Sequence, residues 1–320
     1  MVKLLNIESL TIEFSRDGDR GTALNNLSLR VDQTESLGVV GESGSGKTLL
    51  GLSILNLAPR QAIIKSGKIF FNGKDILSSS EKELQSIRGK EISMIFQEPL
   101  SALNPVFKIG DQIGEVVEIH EKNRSNDYVY SKVVQILKSV QIPDPEKVYH
   151  SYPHQLSGGL RQRVMIAIAL VLSPSLIIAD EPTTALDVTI QAEILDLIKD
   201  IQNRFQSTFI IISHDIAVVG SICKNIAVMY AGRVVELASS SNITLSPKHP
   251  YSQALLNSVP SRRNLNQYLT EIKGEPPDIF NLPEGCSFHP RCKDMIPICK
   301  KEKPPTILLD DAMVECWLYQ

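Results

Sequence analysis

Residues 36–57 read SLGVVGESGSGKTLLGLSILNL, an apolar stretch followed by a glycine-rich loop and then by a segment of helical character. Within this stretch, residues 41–48 (GESGSGKT) fit the phosphate-loop pattern G-x-x-x-x-G-K-[ST]. That pattern requires a strand before the loop and a helix after it, and the sequence predicts both, at 36–40 and 47–57. The stretch therefore predicts an α/β fold with a site for a nucleoside triphosphate.

The residue types of the loop suit this chemistry. Glycines allow backbone amides to wrap phosphate oxygens, and the helix N-terminus adds a favourable field. Lys47 can reach the β- and γ-phosphates, and the Thr48 hydroxyl can ligate Mg²⁺. The alternative is an ordinary glycine turn, which the flanking strand and helix disfavour. The candidate phosphate contacts are Gly41, Glu42, Ser43, Gly44, Ser45, Gly46, Lys47 and Thr48.

A second apolar strand, predicted at 176–179, leads into two adjacent carboxylates, Asp180 and Glu181. Beside a triphosphate, Asp180 would hold Mg²⁺ through water and Glu181 would polarise the attacking water. Phosphoryl transfer needs such positioning and charge placement more than covalent help. The alternative, a solvated acidic pair, is as good an interpretation of these two residues taken alone, and the phosphate loop decides against it.

Composition limits the class of protein. The chain has 320 residues with 42% hydrophobic and 22% charged residues, which predicts a globular fold of about two domains. Its net charge of −3 excludes a global basic field for nucleic acid. The longest apolar run, 164–172, is about half of the roughly 18 residues that a membrane span needs. The N-terminal MVKLLNIESL lacks a secretory cleavage pattern, so we expect a cytoplasmic chain that does not itself cross a membrane.

The pattern along the chain predicts how the core is built. Alternation at 4–14, and a likely turn at Asn72 and Gly73 within 67–76, predict an N-terminal antiparallel β layer. Apolar spacing of three and four residues predicts helices over about 98–175. A β-branched run at 208–212 predicts another buried parallel strand. The predicted domains are 1–259, with a helical subdomain at about 98–175, and a proline- and cysteine-rich extension at 260–320.

Residues 156–163, LSGGLRQR, decide the family when taken with the motifs above. They resemble the signature of ATP-binding-cassette (ABC) ATPases. Gln97 in MIFQEP, Asp187 in TTALD and His214 in IIISHD follow the family order. The resemblance implies a P-loop NTPase cassette with a RecA-like parallel-sheet core, an N-terminal antiparallel β layer, an inserted helical subdomain and a small irregular C-terminal extension.

The resemblance also implies roles for single residues, with ATP and Mg²⁺ as cofactors. Gln97 would contact Mg²⁺ and the lytic water, and His214 would contact the γ-phosphate. Asp187 would lie at a dimer seam, and Phe14 would stack on adenine unless it is simply a core residue. The signature residues Ser157, Gly158 and Gly159 would reach the γ-phosphate bound to the opposite subunit. The implied catalytic residues are Glu181, His214, Gln97 and Lys47, and the implied Mg²⁺ ligands are Thr48, Gln97 and Asp180.

Four of the five cysteines, Cys286, Cys292, Cys299 and Cys316, fall in the last 35 residues. Their open spacing differs from the close pairs of most structural zinc sites, and a reducing cytoplasm disfavours disulfides. We expect a [4Fe–4S] cluster, with zinc and uncoordinated thiols as alternatives. The fifth, Cys223, is expected to be a small buried residue.

The extension and the segment HPYSQALL at 249–256 resemble dipeptide and oligopeptide permease ATPases, some of which carry such a cluster. This implies an ATP-hydrolysing subunit of a peptide importer, peripheral at the cytoplasmic face of the inner membrane. Its partners would be a second nucleotide-binding subunit in a head-to-tail dimer, either a paralogue or a copy of itself, two transmembrane permease subunits and an extracytoplasmic binding protein.

The alternatives are a nickel importer, an inactive regulatory cassette and a soluble cassette acting on nucleic acid. The last is disfavoured because the chain carries one cassette, no long coiled coil and an acidic pI.

Overall fold

The computed structural model describes residues 3–16, 18–184, 186–258 and 272–320. In chain order, the strands are β1 (Lys3–Arg16), β2 (Asp19–Asp32), β3 (Ser36–Val40), β4 (Ala62–Phe71), β5 (Lys74–Asp75), β6 (Ile92–Ile95), β7 (Leu176–Asp180), β8 (Thr208–Ser213), β9 (Asn225–Tyr230), β10 (Arg233–Ser239), β11 (Thr306–Leu309) and β12 (Ala312–Glu315). The α-helices are α1 (Lys47–Ile54), α2 (Glu81–Ile87), α3 (Pro99–Ala102), α4 (Ile109–His120), α5 (Asn126–Ser139), α6 (Pro145–Tyr149), α7 (Gly158–Leu170), α8 (Val188–Phe205), α9 (Ile216–Ile222), α10 (Ser240–Leu245) and α11 (Pro250–Asn257). Short 3₁₀ helices lie at Pro153–Gln155, His289–Arg291, Pro297–Lys300 and Trp317–Tyr319.

The described residues fall into two compact units. The first takes its residues from 1–32, 36–78 and 211–320, and the second from 33–35 and 79–210. The phosphate loop and the cysteines belong to the first unit, and the signature and the acidic pair belong to the second.

The first unit contains the predicted antiparallel β layer, with strand order β2–β1–β4–β5. Strands β4 and β5 form a hairpin, pairing Phe71 with Lys74. The turn residues Asn72 and Gly73 have φ of 49° and 78°. Asn-Gly favours this turn because both positions need positive φ, so the predicted turn is confirmed.

The first unit also contains strands in the order β11–β12–β10–β9–β3. All five residues of β3 are buried, as expected for a strand covered on both faces, and β3 pairs in parallel with β9. Strand β12 pairs with β10, so the C-terminal hairpin β11–β12 extends this group of strands. The family resemblance implies an irregular C-terminal extension, so this hairpin is a regular element that was not predicted.

The second unit combines the parallel pair β6–β7 with the predicted helices. Ile109, Ile113 and Val117 on α4 are fully buried, and their spacing of four residues places them on one helix face. The same spacing buries one face of α5. Helices α3 to α7 thus lie in the range, about 98–175, for which the apolar spacing predicts helices.

Some predicted bounds differ from the observed ones. Helix α1 ends at Ile54 rather than at residue 57, since Asn56 adopts a left-handed φ of 51°. The predicted domain boundary at 259/260 lies outside the described residues. No helix within the described ranges is long and apolar enough to cross a membrane.

Candidate functional site

The phosphate loop begins at the end of the buried strand β3 and continues into α1. The Lys47 Nζ atom donates to the carbonyl oxygens of Gly41 at 2.7 Å and Glu42 at 2.9 Å, and Lys47 is only 6% exposed. The ammonium group therefore lies against the backbone of the loop. This position suits a cation that contacts bound phosphates.

Close backbone packing explains two glycines of the loop. A Cβ atom on Gly41 would lie 2.2 Å from the Met229 carbonyl oxygen. Gly46 has φ of 100°, and a Cβ there would lie 2.9 Å from the Ala23 carbonyl oxygen. Larger residues would displace the loop, whose amides must point at phosphate oxygens.

Glu42, the second residue of the loop, is held by two side chains from the part of the protein that follows α10. Its backbone N–H donates to the Tyr251 hydroxyl at 2.8 Å. Its carboxylate oxygens accept from Arg291 Nη1 at 2.6 Å and Nη2 at 2.9 Å. This hydrogen bonding raises the pKa of Arg291, whose guanidinium is in any case charged in proteins. No sequence motif predicts these roles for Tyr251 or Arg291, although Tyr251 lies in the segment HPYSQALL.

In the second unit, the acidic pair lies at the end of β7. Asp180 is 3% exposed, and Glu181 has a left-handed φ of 46°, which costs a non-glycine residue about 1–2 kcal/mol. Glu181 Oε2 accepts from Gln97 Nε2 at 3.1 Å and from Thr184 Oγ1 at 2.7 Å. The structure thus brings Gln97 to Glu181 and adds Thr184, which the sequence analysis missed. The sequence signal that could have indicated Thr184 is the pair of adjacent threonines between Glu181 and Asp187.

The signature residues begin α7 in the same unit. Ser157 is the N-cap, and its side chain accepts from Leu160 N–H at 3.4 Å. Gly158 is exposed at the first helical position, and Gly159 is buried. Asp187 is likewise the N-cap of α8, accepting from two backbone N–H groups. Because a helix N-terminus favours anions, the 13-residue helix α7 suits the phosphate contact implied for the signature.

Two further predicted residues lie in the first unit. His214 is exposed and directly follows β8. Phe14 lies in β1 between Gly21 of β2 and Ala62 of β4, and it is half-buried. Its partial exposure is compatible with either an adenine contact or a place at the edge of the core.

The four C-terminal cysteines line one small cavity, together with His249, Phe288 and Asp294. All are free thiols, and burial raises the pKa of Cys286 to about 11. Burial likewise raises the pKa values of Cys292 and Cys316. Within the described ranges, no group of three or more Cys, His, Asp or Glu side chains is arranged to hold a metal ion. Cys223 is 5% exposed and lies apart from this set, so its prediction as a buried residue is confirmed.

Comparison with known proteins agrees with the motifs. A family described as ABC transporter matches residues 24–184, and one described as oligopeptide/dipeptide transporter, C-terminal region, matches residues 235–299. The dipeptide transport ATP-binding protein DppD of Bacillus subtilis is 44% identical over 321 aligned residues, covering 99% of this chain and 95% of that protein. The oligopeptide transport ATP-binding protein OppD of Escherichia coli is 43% identical over 301 residues, covering 94% and 89%. A solved ATP-binding cassette, dimeric and bound to ADP and Pi after hydrolysis, aligns with a TM-score of 0.67 at 25% identity, covering 74% of this chain and 99% of that one.

Proposed function

Since the chain belongs to the ABC transporter family, as an ATPase that uses ATP and Mg²⁺, we propose that it energises the import of dipeptides or oligopeptides across the cytoplasmic membrane. Support for a peptide cargo comes from the C-terminal region that matches the oligopeptide/dipeptide family. It also comes from the relatives named for dipeptide and oligopeptide transport.

The observation that supports ATP hydrolysis is the position of the Glu181 carboxylate, which is held at the end of β7. In the proposed reaction Glu181 polarises the water that attacks the γ-phosphate, and Gln97 and Thr184 keep its carboxylate oriented. Lys47 and the amides of the phosphate loop bind the phosphates. We assign Thr48, Gln97 and Asp180 to Mg²⁺, which when bound neutralises charge on the β- and γ-phosphates.

Three other assignments rest on the family motifs. His214 contacts the γ-phosphate, and Phe14 stacks on adenine. Ser157, Gly158 and Gly159 bind the γ-phosphate held by a second nucleotide-binding chain, with Asp187 at the seam of a head-to-tail dimer. The dimer acts on two transmembrane permease subunits, to which an extracytoplasmic protein delivers the peptide, so this chain works at the cytoplasmic face.

Deletion and complementation test both the cargo and the chemistry. Cells lacking this chain should regain uptake of radiolabelled peptides with the wild type but not with Glu181→Gln. In the assembled transporter, Glu181→Gln should lower ATP hydrolysis by about 10²–10⁴-fold, the usual contribution of a group that assists proton transfer. Restored nickel uptake without peptide uptake would favour the nickel importer, and unchanged hydrolysis would contradict the role of Glu181.

We propose that Cys286, Cys292, Cys299 and Cys316 hold a [4Fe–4S] cluster. Support comes from the residue types alone, because four thiols that line one cavity are the ligands that such a cluster takes. A bound cluster would tie together segments of the C-terminal extension and could respond to redox state. Zinc is the alternative, because thiolates bind both.

Anaerobic purification followed by iron, sulfide and zinc analysis tests the cluster. We expect about four irons per chain and visible absorption, both lost in Cys292→Ser. Cys223→Ala, which removes a thiol outside the cavity, is the matched control and should keep the iron. Stoichiometric zinc would replace the cluster by a zinc site, and metal-free protein would refute both.

A further inference from the structure

Glu42 is the one acidic residue within the phosphate loop 41–48. A loop that binds a triphosphate gathers amide N–H groups and a lysine, and an uncompensated carboxylate there would repel the ligand. The loop therefore needs either a partner for Glu42 or a neutral residue in its place.

Arg291 supplies that partner, from 249 positions further along the chain. Its two terminal nitrogens bond both carboxylate oxygens of Glu42, at 2.6 and 2.9 Å. Its Nε atom donates to the Lys273 carbonyl oxygen at 3.1 Å, and Nη1 lies 3.3 Å from the Tyr230 hydroxyl. The arginine side chain is only 5% exposed, so the guanidinium is fixed by contacts on several sides. Such a two-point, charge-assisted contact sets orientation as well as charge.

Tyr251 fixes the same loop residue through the backbone. The Glu42 N–H donates to the Tyr251 hydroxyl at 2.8 Å, and Tyr251 is fully buried. Its ring centroid lies 4.6 Å from that of Tyr230 and 5.3 Å from that of Phe288. The hydroxyl therefore cannot leave the loop without disturbing an aromatic cluster.

We propose that Arg291 and Tyr251 are positioning residues for ATP binding: Arg291 neutralises and orients the Glu42 carboxylate, and Tyr251 holds the Glu42 amide, so that the phosphate loop is preorganised from the C-terminal segment. This inference rests on the proposed ATP-binding role of the loop. Neither residue needs to touch the nucleotide, because both act through Glu42.

Titration of the full-length chain with a non-hydrolysable ATP analogue and Mg²⁺ tests the proposal. Arg291→Gln leaves a charged Glu42 in the loop and should raise the Kd by about 5–30-fold, the range of a strong indirect coupling. Arg291→Lys keeps the charge without the two-point geometry and should give an intermediate Kd. Tyr251→Phe removes only the acceptor for the Glu42 N–H and should raise the Kd by about 3-fold or more.

The decisive variant is the double substitution Glu42→Gln with Arg291→Gln. Removing the unpaired carboxylate should bring the Kd back to within about 3-fold of the wild type, whereas general damage to the C-terminal segment would not be reversed. Arg88→Gln is the matched control, because it breaks an Arg–Glu pair that does not include the loop. Thermal unfolding of every variant identifies any that fail to fold.

An unchanged Kd in both Arg291→Gln and Tyr251→Phe would overturn the inference. A raised Kd that the double variant does not reverse would overturn the neutralising role of Arg291. Failure of the wild type and Arg88→Gln to bind the analogue would contradict the proposed function itself, which separates the two failures.

Discussion

At the scale of single residues, the proposed chemistry depends on how the Glu181 carboxylate is held. Glu181 adopts a left-handed backbone conformation, and one of its oxygens accepts from both Gln97 and Thr184. Two donors from different loops restrict the rotation of this side chain. The proposed water-activating group is thus oriented before ATP arrives, and Thr184 contributes to that orientation.

Replacing Thr184 by valine removes the hydroxyl at nearly constant volume. A hydrogen bond to a charged group contributes about 1.5–3 kcal/mol, so we expect kcat to fall by about 10-fold or more, with KM for ATP within about 2-fold. Steady-state hydrolysis by the assembled transporter provides both numbers. Thr183→Val is the matched control because it leaves the Thr184–Glu181 bond in place, and equal rates for the two variants would refute the role.

At the scale of elements, an Arg–Glu ion pair joins the C-terminal hairpin to strand β10. Arg233 at the start of β10 donates to Glu315 at the end of β12, from Nε at 2.7 Å and from Nη2 at 2.9 Å. Both side chains are mostly buried, at 17% and 10% exposure, so this pair is less screened than a surface ion pair. The hairpin therefore depends on an ion pair as well as on the β10–β12 ladder.

Arg233→Gln should lower the free energy of unfolding by about 3 kcal/mol, because it leaves Glu315 buried without its charged partner. Urea titration measures this loss. The double variant Arg233→Met with Glu315→Leu should recover most of it, since an apolar pair carries no desolvation cost. Arg20→Gln removes a 63% exposed arginine that lies 3.9 Å from Glu13, and it should change stability by less than about 1 kcal/mol because Lys65 still lies 3.7 Å from Glu13. An equal loss in both arginine variants would contradict the argument.

At the scale of the whole molecule, the proposed role of the signature requires a second chain. In the proposed dimer, the N-terminus of α7 serves nucleotide held by another chain. Among the described residues, a Cβ atom on the exposed Gly158 would meet only Leu186, at an ordinary 3.8 Å. A larger side chain at this position is therefore compatible with the fold, whereas in the proposed dimer it would block the close approach of the second subunit.

Gly158→Arg should leave the unfolding midpoint unchanged or higher, since arginine favours a helix more than glycine does. Hydrolysis by the assembled transporter should fall by about 100-fold or more, as expected when reacting groups are misplaced by an ångström. Gln135→Arg, on an exposed position of α5, controls for added charge. Wild-type hydrolysis in Gly158→Arg would argue against a site completed by two chains.

The sequence by itself determined the family, the phosphate loop and the buried strand before it, because these depend on short stretches of chain. The G-x-x-x-x-G-K-[ST] pattern, the Asn72-Gly73 turn and the four-residue spacing on α4 are set by backbone preferences and side-chain period. The C-terminal hairpin was not predicted because each of its strands has only four residues and two prolines, Pro304 and Pro305, directly precede the first strand. The division at 259/260 stays a prediction.

Only the tertiary structure decided which distant residues support the candidate site. Thr184 bonds Glu181, and Tyr251 and Arg291 bond Glu42, across separations of 209 and 249 positions for the latter two. No local sequence pattern predicts such pairs, because a hydrogen bond depends on where the folded backbone places two groups and not on their spacing along the chain. The same holds for the cysteines, which share a cavity only because the extension folds back on itself.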